Sequence, residues 1–86
     1  MVKFGFTVKD PEGLRTESAG RMVEEAIKCS SKVTIRKGEK SGDAKLIFHV
    51  LTLSIKAGQE VEITVEGEKE REEAVALENF IKEHIV

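Results

Sequence analysis

The apolar positions of this chain change period several times. Val2, Phe4, Phe6 and Val8 alternate with Lys3, Gly5 and Thr7, which predicts a strand over residues 2–8 with one buried face. Asp10-Pro11-Glu12-Gly13 reads as a turn, because proline presets φ and glycine supplies backbone freedom. From residue 16 the spacing lengthens. Ala19, Met22, Val23, Ala26 and Ile27 fall at i, i+3, i+4, i+7 and i+8, the pattern of one apolar helix stripe. Thr16 is the expected N-cap, Glu17 in the first turn suits the helix dipole, and Ser30-Ser31 ends the helix.

Val33 and Ile35 alternate with Lys32, Thr34 and Arg36, which predicts a second strand. Lys37-Gly38-Glu39 is a hairpin turn, and Lys40–Gly42 returns as a short third strand. Asp43 is placed to cap a second helix carrying Leu46, Ile47, Phe48, Val50, Leu51 and Leu53. After a turn at Lys56-Ala57-Gly58-Gln59, Val61, Ile63 and Val65 alternate with Glu60, Glu62, Thr64 and Glu66 in the cleanest strand of the chain. Gly67 breaks it, and Glu68–Glu73 opens a long helix whose buried side holds Ala74, Leu77, Ile81 and nearby Phe80. The resulting order is βαββαβα. One hairpin and no two consecutive helices predict an α+β fold, an antiparallel sheet with helices on one face and polar side chains on the other.

Composition narrows the functional classes. The 86 residues allow one domain, over residues 1–86, with a modest core and no deep cleft. A single Cys excludes a disulfide framework and a cysteine zinc cluster. Two widely spaced His and that Cys give no metal-ligand spacing, and no cofactor is expected. No apolar run approaches the roughly 20 residues of a membrane span, and the first residues are too mixed for a signal peptide, so a cytoplasmic location is expected. The net charge of −2 gives no reason to expect nucleic acid or an anionic membrane as partner. Charge is nevertheless uneven. Residues 1–45 hold ten Lys/Arg against seven Asp/Glu, and residues 46–86 hold four against nine. Interleaving of the elements in space would blur that asymmetry.

Four stretches at these spacings resemble HPr, the histidine-containing phosphocarrier of the bacterial sugar phosphotransferase system. They are Gly13-Leu14 before Ala19; Lys45 with Ile47-Phe48 and Thr52-Leu53; Ala57-Gly58 before the Val61-x-Ile63-x-Val65 strand; and Glu66-Gly67-Glu68 before the last helix. The resemblance spans essentially the whole chain and implies an open-faced β-sandwich of four antiparallel strands covered by three helices. It also implies an active-site motif G-[LIV]-H-A-R-P-A. Here that stretch reads Gly13-Leu14-Arg15-Thr16-Glu17-Ser18-Ala19. Arg15 stands at the position of the phosphorylated histidine, Glu17 at that of the phosphate-binding arginine, and Ser18 at that of the proline. Leu46 occupies the place of a regulatory serine that many Gram-positive bacteria phosphorylate.

These departures have chemical consequences. A phosphocarrier needs a nucleophile of intermediate basicity that accepts and releases phosphate, and neutral imidazole provides it. A guanidinium stays protonated and only donates hydrogen bonds. A helix N-terminus still offers free amides to an anion, but Glu17 adds a negative charge there that can satisfy those donors and repel phosphate. The expectation is a degenerate family member without catalytic residues, not an enzyme. Glu17 has two readings: it mimics the phosphorylated state of the parent fold, or it drifted after the site lost its use.

Other residues bear on the alternatives. His49 on the second helix, or a hydroxyl of Thr16 or Ser18, would be the phosphate acceptor if phosphotransfer persisted on another residue. Each has a plainer reading: His49 as a surface helix residue, and Thr16 and Ser18 as cap and first-turn residues. His84 suits a helix C-terminus, and Cys29 reads as a small buried hydrophobe. The second helix carries more apolar residues than one face can bury. Val50 and Leu53 suit the core, which leaves Leu46, Ile47, Phe48 and Leu51 as an apolar patch resembling the one by which HPr docks on its partners. The expected function is a regulatory protein–protein interaction module whose partner is a phosphotransferase-system enzyme, a kinase or a transcription regulator. A homodimer or larger structural homo-oligomer is the third reading.

Overall fold

The computed structural model describes residues 1–86. Seven elements follow one another: β1 (Val2–Thr7), α1 (Thr16–Ile27), β2 (Lys32–Lys37), β3 (Lys40–Asp43), α2 (Ile47–Thr52), β4 (Glu60–Glu66) and α3 (Glu70–His84). The strands form one antiparallel sheet in the order β1-β4-β2-β3. Its register places Val65 between Val2 and Val33, and Ile63 between Phe4 and Ile35. Because side chains alternate along each strand, these rows share one face. Met22 and Val23 of α1, Val50 of α2, and Leu77 and Ile81 of α3 join those rows in one buried apolar cluster. All three helices therefore cover the same face, and the opposite face stays polar: an open-faced α+β sandwich.

The sheet order also resolves the charge asymmetry. Acidic β4 lies between β1 and β2, where Arg36 Nη2 pairs with Glu62 Oε1 at 3.1 Å and Lys32 stands opposite Glu66.

Several boundaries differ from the sequence expectation. The cap of α1 is Arg15, and Thr16 is the first helical residue. Ser18, three residues further, accepts the Arg15 N–H on its Oγ at 3.1 Å and donates to the Arg15 carbonyl at 3.1 Å. A polar residue at the third helical position thus finishes the end. The helix stops at Ile27 with Lys28 as C-cap, short of Ser30-Ser31, whose polar groups are used elsewhere. Ile27 is 58% exposed although its spacing assigns it to the buried stripe. Eight residues on from Ala19 it has rotated by about 80°, to the stripe's edge.

Asp43 does not cap α2. It is the last residue of β3, and its Oδ1 accepts the Lys45 N–H at 2.9 Å, while Ala44 extends the ladder by donating to the Val33 carbonyl at 3.0 Å. The cap is Leu46, and α2 is only six residues long. Ser54, at φ 50°, takes the left-handed conformation just past its end.

Candidate functional site

Residues 9–14 bring the start of α1 against the end of α2. Gly13 has φ +76°, and a Cβ there would stand 2.6 Å from the Ile55 carbonyl oxygen. Only glycine fits this close, left-handed turn. It lets the Leu14 N–H donate to that same Ile55 oxygen at 3.0 Å, so the loop before α1 is tied to the segment after α2. The Asp10 carbonyl accepts from Gly13 at 2.8 Å, and its Oδ1 accepts from the Glu12 amide at 2.9 Å.

This turn positions Asp10 and Glu12 under Arg15. Arg15 Nη2 lies 3.3 Å from Asp10 Oδ2, and Nη1 lies 3.2 Å from Glu12 Oε2. The guanidinium is folded back on its own loop, half exposed. Thr16 and Glu17 are exposed beside it, and Ser18 is half-buried with its hydroxyl engaged by the Arg15 backbone. The Arg15 guanidinium therefore pairs with two carboxylates, those of Asp10 and Glu12, and Glu17 adds a third acid in the first turn of α1. The guanidinium is thus already engaged by carboxylates at this helix end.

On α2, Val50 and Leu53 are buried, as their spacing predicts. The patch divides differently from the expectation. Ile47 and Leu51 are half-buried and pack against the core, whereas Leu46 is 48% and Phe48 78% exposed. A six-residue helix lying flat on the core turns its intermediate positions partly inward. Its exposed apolar surface is thereby reduced to Leu46 and Phe48.

His49 is exposed, but its ring is not free: Nδ1 accepts the Asp43 N–H at 3.0 Å. His84 packs tilted against Phe80 with ring centroids 4.7 Å apart, and Arg21 Nη2 stands 3.3 Å from its Nδ1, which links the end of α3 to the middle of α1. Cys29 is half-buried rather than fully buried; burial pushes its thiol up from the usual range, and Glu73 adds to the shift. A protonated thiol is a poor nucleophile.

A second polar cluster was invisible in the sequence. The Glu73 carboxylate accepts the Ser30 amide at 2.6 Å, the Ser31 amide at 3.0 Å and both serine hydroxyls. The Ser31 hydroxyl, followed by the Ser30 amide, holds the Glu73 carboxyl well below its ordinary 4.5, at about 2. The consecutive serines after a helix were the only local signal, and nothing nearby in the chain names their partner. Lys45 Nζ donates to the Cys29 carbonyl at 2.8 Å and ties the same loop to the approach to α2.

The largest concavity, about 580 Å³, lies on the open face of the sheet, lined by Gly5, Thr7, Arg36, Glu60 and Glu62 among others. It is remote from the α1 start and from α2. It exists because Gly5 lacks a side chain beside the Arg36–Glu62 pair, and it gathers no convergent chemistry.

A sheet covered on one face by three helices, with a helix start exposed beside a short apolar helix, is the framework of small phosphocarrier domains. A family model described as the PTS HPr component phosphorylation site matches residues 2–83. The chain belongs to the HPr family of the phosphotransferase system. It is 39% identical over 67 residues to the phosphocarrier protein HPr of Mycoplasma capricolum, covering 78% of this chain and 75% of that one. It is 31% identical over 85 residues to the HPr-like protein Crh of Bacillus subtilis, covering 99% and 100%. The solved structure of a Mycoplasma histidine-containing phosphocarrier protein superposes with a TM-score of 0.90 at 31% identity, covering 99% and 98%.

Proposed function

We propose that this chain is an HPr-family protein that no longer carries phosphate at the family position and acts by protein contact, as a non-catalytic regulator. The observation that carries the reading is Arg15. A side chain that stays protonated stands where the family motif has its histidine, held 3.3 and 3.2 Å from two carboxylates. The docking element is α2 with the adjoining α1 start. Phe48 and Leu46 supply the apolar contact, Ile47 and Leu51 support them from below, and Arg15, Thr16, Glu17 and Ser18 form the polar rim. The partner is a phosphotransferase-system enzyme, a kinase or a transcription regulator, in the cytoplasm where such a partner works.

Phosphotransfer on a substitute residue is the competing reading. His49 uses its Nδ1 lone pair on the Asp43 amide, and Ser18 has its hydroxyl engaged at the helix end. Thr16 is the free candidate. Incubation with phosphoenolpyruvate and enzyme I separates the readings: no phosphate, whether acid-labile on a histidine or acid-stable on a hydroxyl, is expected on the wild type, and the appearance of either would overturn the proposal. In a pull-down, Phe48→Asp should weaken partner capture at least about tenfold while leaving the thermal midpoint unchanged, because the side chain is exposed. Replacing Glu17 by Arg tests the mimicry idea, which an unchanged affinity would remove.

A further inference from the structure

We propose that His49 is a pH-sensitive clasp that holds α2 against β3 while its imidazole is neutral and releases the helix when the ring is protonated. Two contacts define it. The Asp43 N–H, at the end of the edge strand β3, donates to His49 Nδ1 at 3.0 Å. At the preceding residue, Gly42, a Cβ would lie 2.9 Å from the His49 Cβ and 3.4 Å from its Nδ1. The ring base is therefore seated directly on bare backbone, a contact that any side chain at residue 42 would block.

The chemistry follows from the direction of the hydrogen bond. An amide N–H can only donate, so Nδ1 must offer its lone pair, and the proton of the neutral ring sits on Nε2. Protonation places an N–H against an N–H. The bond is lost, and a positive charge faces the amide's positive end. Imidazole is the side chain that makes this change in the range of roughly pH 5–8.

The surroundings make the bond matter. A helix of six residues has no stability of its own and depends on what it touches. Toward the core α2 is held by Val50 and by Leu53 just past its end; toward the sheet edge His49 supplies the polar contact. His49 lines a cleft of about 400 Å³ with Lys40 and Ser41 of β3 and with Thr52 and Leu53. Lys40 is the one cation lining that cleft. The Asp43 carboxylate is occupied by the Lys45 amide at 2.9 Å, and α2 has no other ionisable side chain. Release would loosen the element bearing Leu46 and Phe48. The clasp itself does not depend on what α2 binds.

The test is an NMR titration of the full chain from pH 8 to pH 5. At pH 8 the His49 ring should be the Nε2–H tautomer. The Asp43 amide resonance should move with the midpoint of the imidazole. Exchange protection of the Val50 and Leu53 amides, corrected for intrinsic pH dependence, should fall about fivefold or more across that midpoint. His49→Asn keeps an acceptor at the Nδ1 position that does not titrate, and its protection should stay flat. An Nδ1–H tautomer would overturn the clasp. So would an Asp43 amide or α2 protection indifferent to the His49 titration, or an Asn variant that follows the wild-type pH dependence.

Discussion

At its N-terminal end α1 begins in solvent, with Arg15 as cap and its guanidinium balanced between Asp10 and Glu12, five and three residues back. Beyond its other end, Ser30 and Ser31 close on the carboxylate of Glu73, more than forty residues away. Both arrangements neutralise charge with hydrogen bonds, but their mechanical roles differ. The Arg15 pairs are exposed and sequence-local, so water replaces them at little cost. The Glu73 clasp takes two amides and two hydroxyls onto one carboxylate, beside a Ser31 that is 2% exposed, and it ties the loop leading into β2 to the first turn of α3. The charge at the far end of α1 is thus bound across the fold, whereas the charge at its cap is balanced only by local ion pairs.

The Glu73 clasp is most directly disturbed at Gly67. A Cβ there would stand 2.7 Å from Ser31 Oγ and 3.0 Å from Ser31 Cα, so the clasp's backbone would have to move. Gly67→Ala should cost about 1–3 kcal/mol in urea unfolding; an unchanged midpoint would mean that the loop yields freely. Glu73→Gln comes next, and its effect depends on pH. A carboxyl lowered from 4.5 to about 2 in the folded state stabilises fully above pH 4.5 and loses that contribution as pH falls toward 2. The variant should therefore melt below the wild type at pH 7, and the gap should close on acidification in calorimetry. A gap constant with pH would detach the clasp from the carboxylate's charge.

Two smaller effects are expected near the start of α1. Gly20, in the first half of α1, has open space where a Cβ would lie, so Gly20→Ala should raise stability by about 0.5–1 kcal/mol. A loss would reveal a steric demand near the open end. Arg15→Ala should change stability by less than about 0.5 kcal/mol. A larger loss by denaturant unfolding would show that the two loop acids depend on their guanidinium, and that the open end is as tightly built as the clasp.

Much of this architecture was legible in the chain. The alternation at Val61, Ile63 and Val65 fixed an inward face for β4, and the stripe Ala19, Met22, Val23, Ala26 did so for α1; all seven are buried. Helix ends were harder to read, because caps are decided by competition among neighbouring polar groups. Ser18 captured the Arg15 amide and moved the start of α1 to Thr16; Asp43 spent its carboxylate on Lys45 instead of on α2. For the candidate site, the residues Arg15, Glu17, Ser18 and Leu46 were readable, as was the apolar surplus of α2. Which surplus residues face water was not, since a short helix is oriented by its supports rather than by its own periodicity.

By itself the sequence determined what depends on neighbours a few residues apart: the period of each element, the turn at Asp10–Gly13, and the absence of an imidazole at residue 15. Only the tertiary structure decided which distant groups meet. Glu73 reaches Ser30 and Ser31, and Gly13 admits the Ile55 carbonyl. His49 meets Asp43 across only six residues, yet through a strand end and a helix that must first be folded and packed. Short-range pattern is encoded in side-chain chemistry along the backbone, whereas such pairings exist only once the sheet's register and the helices' seating have fixed their distances.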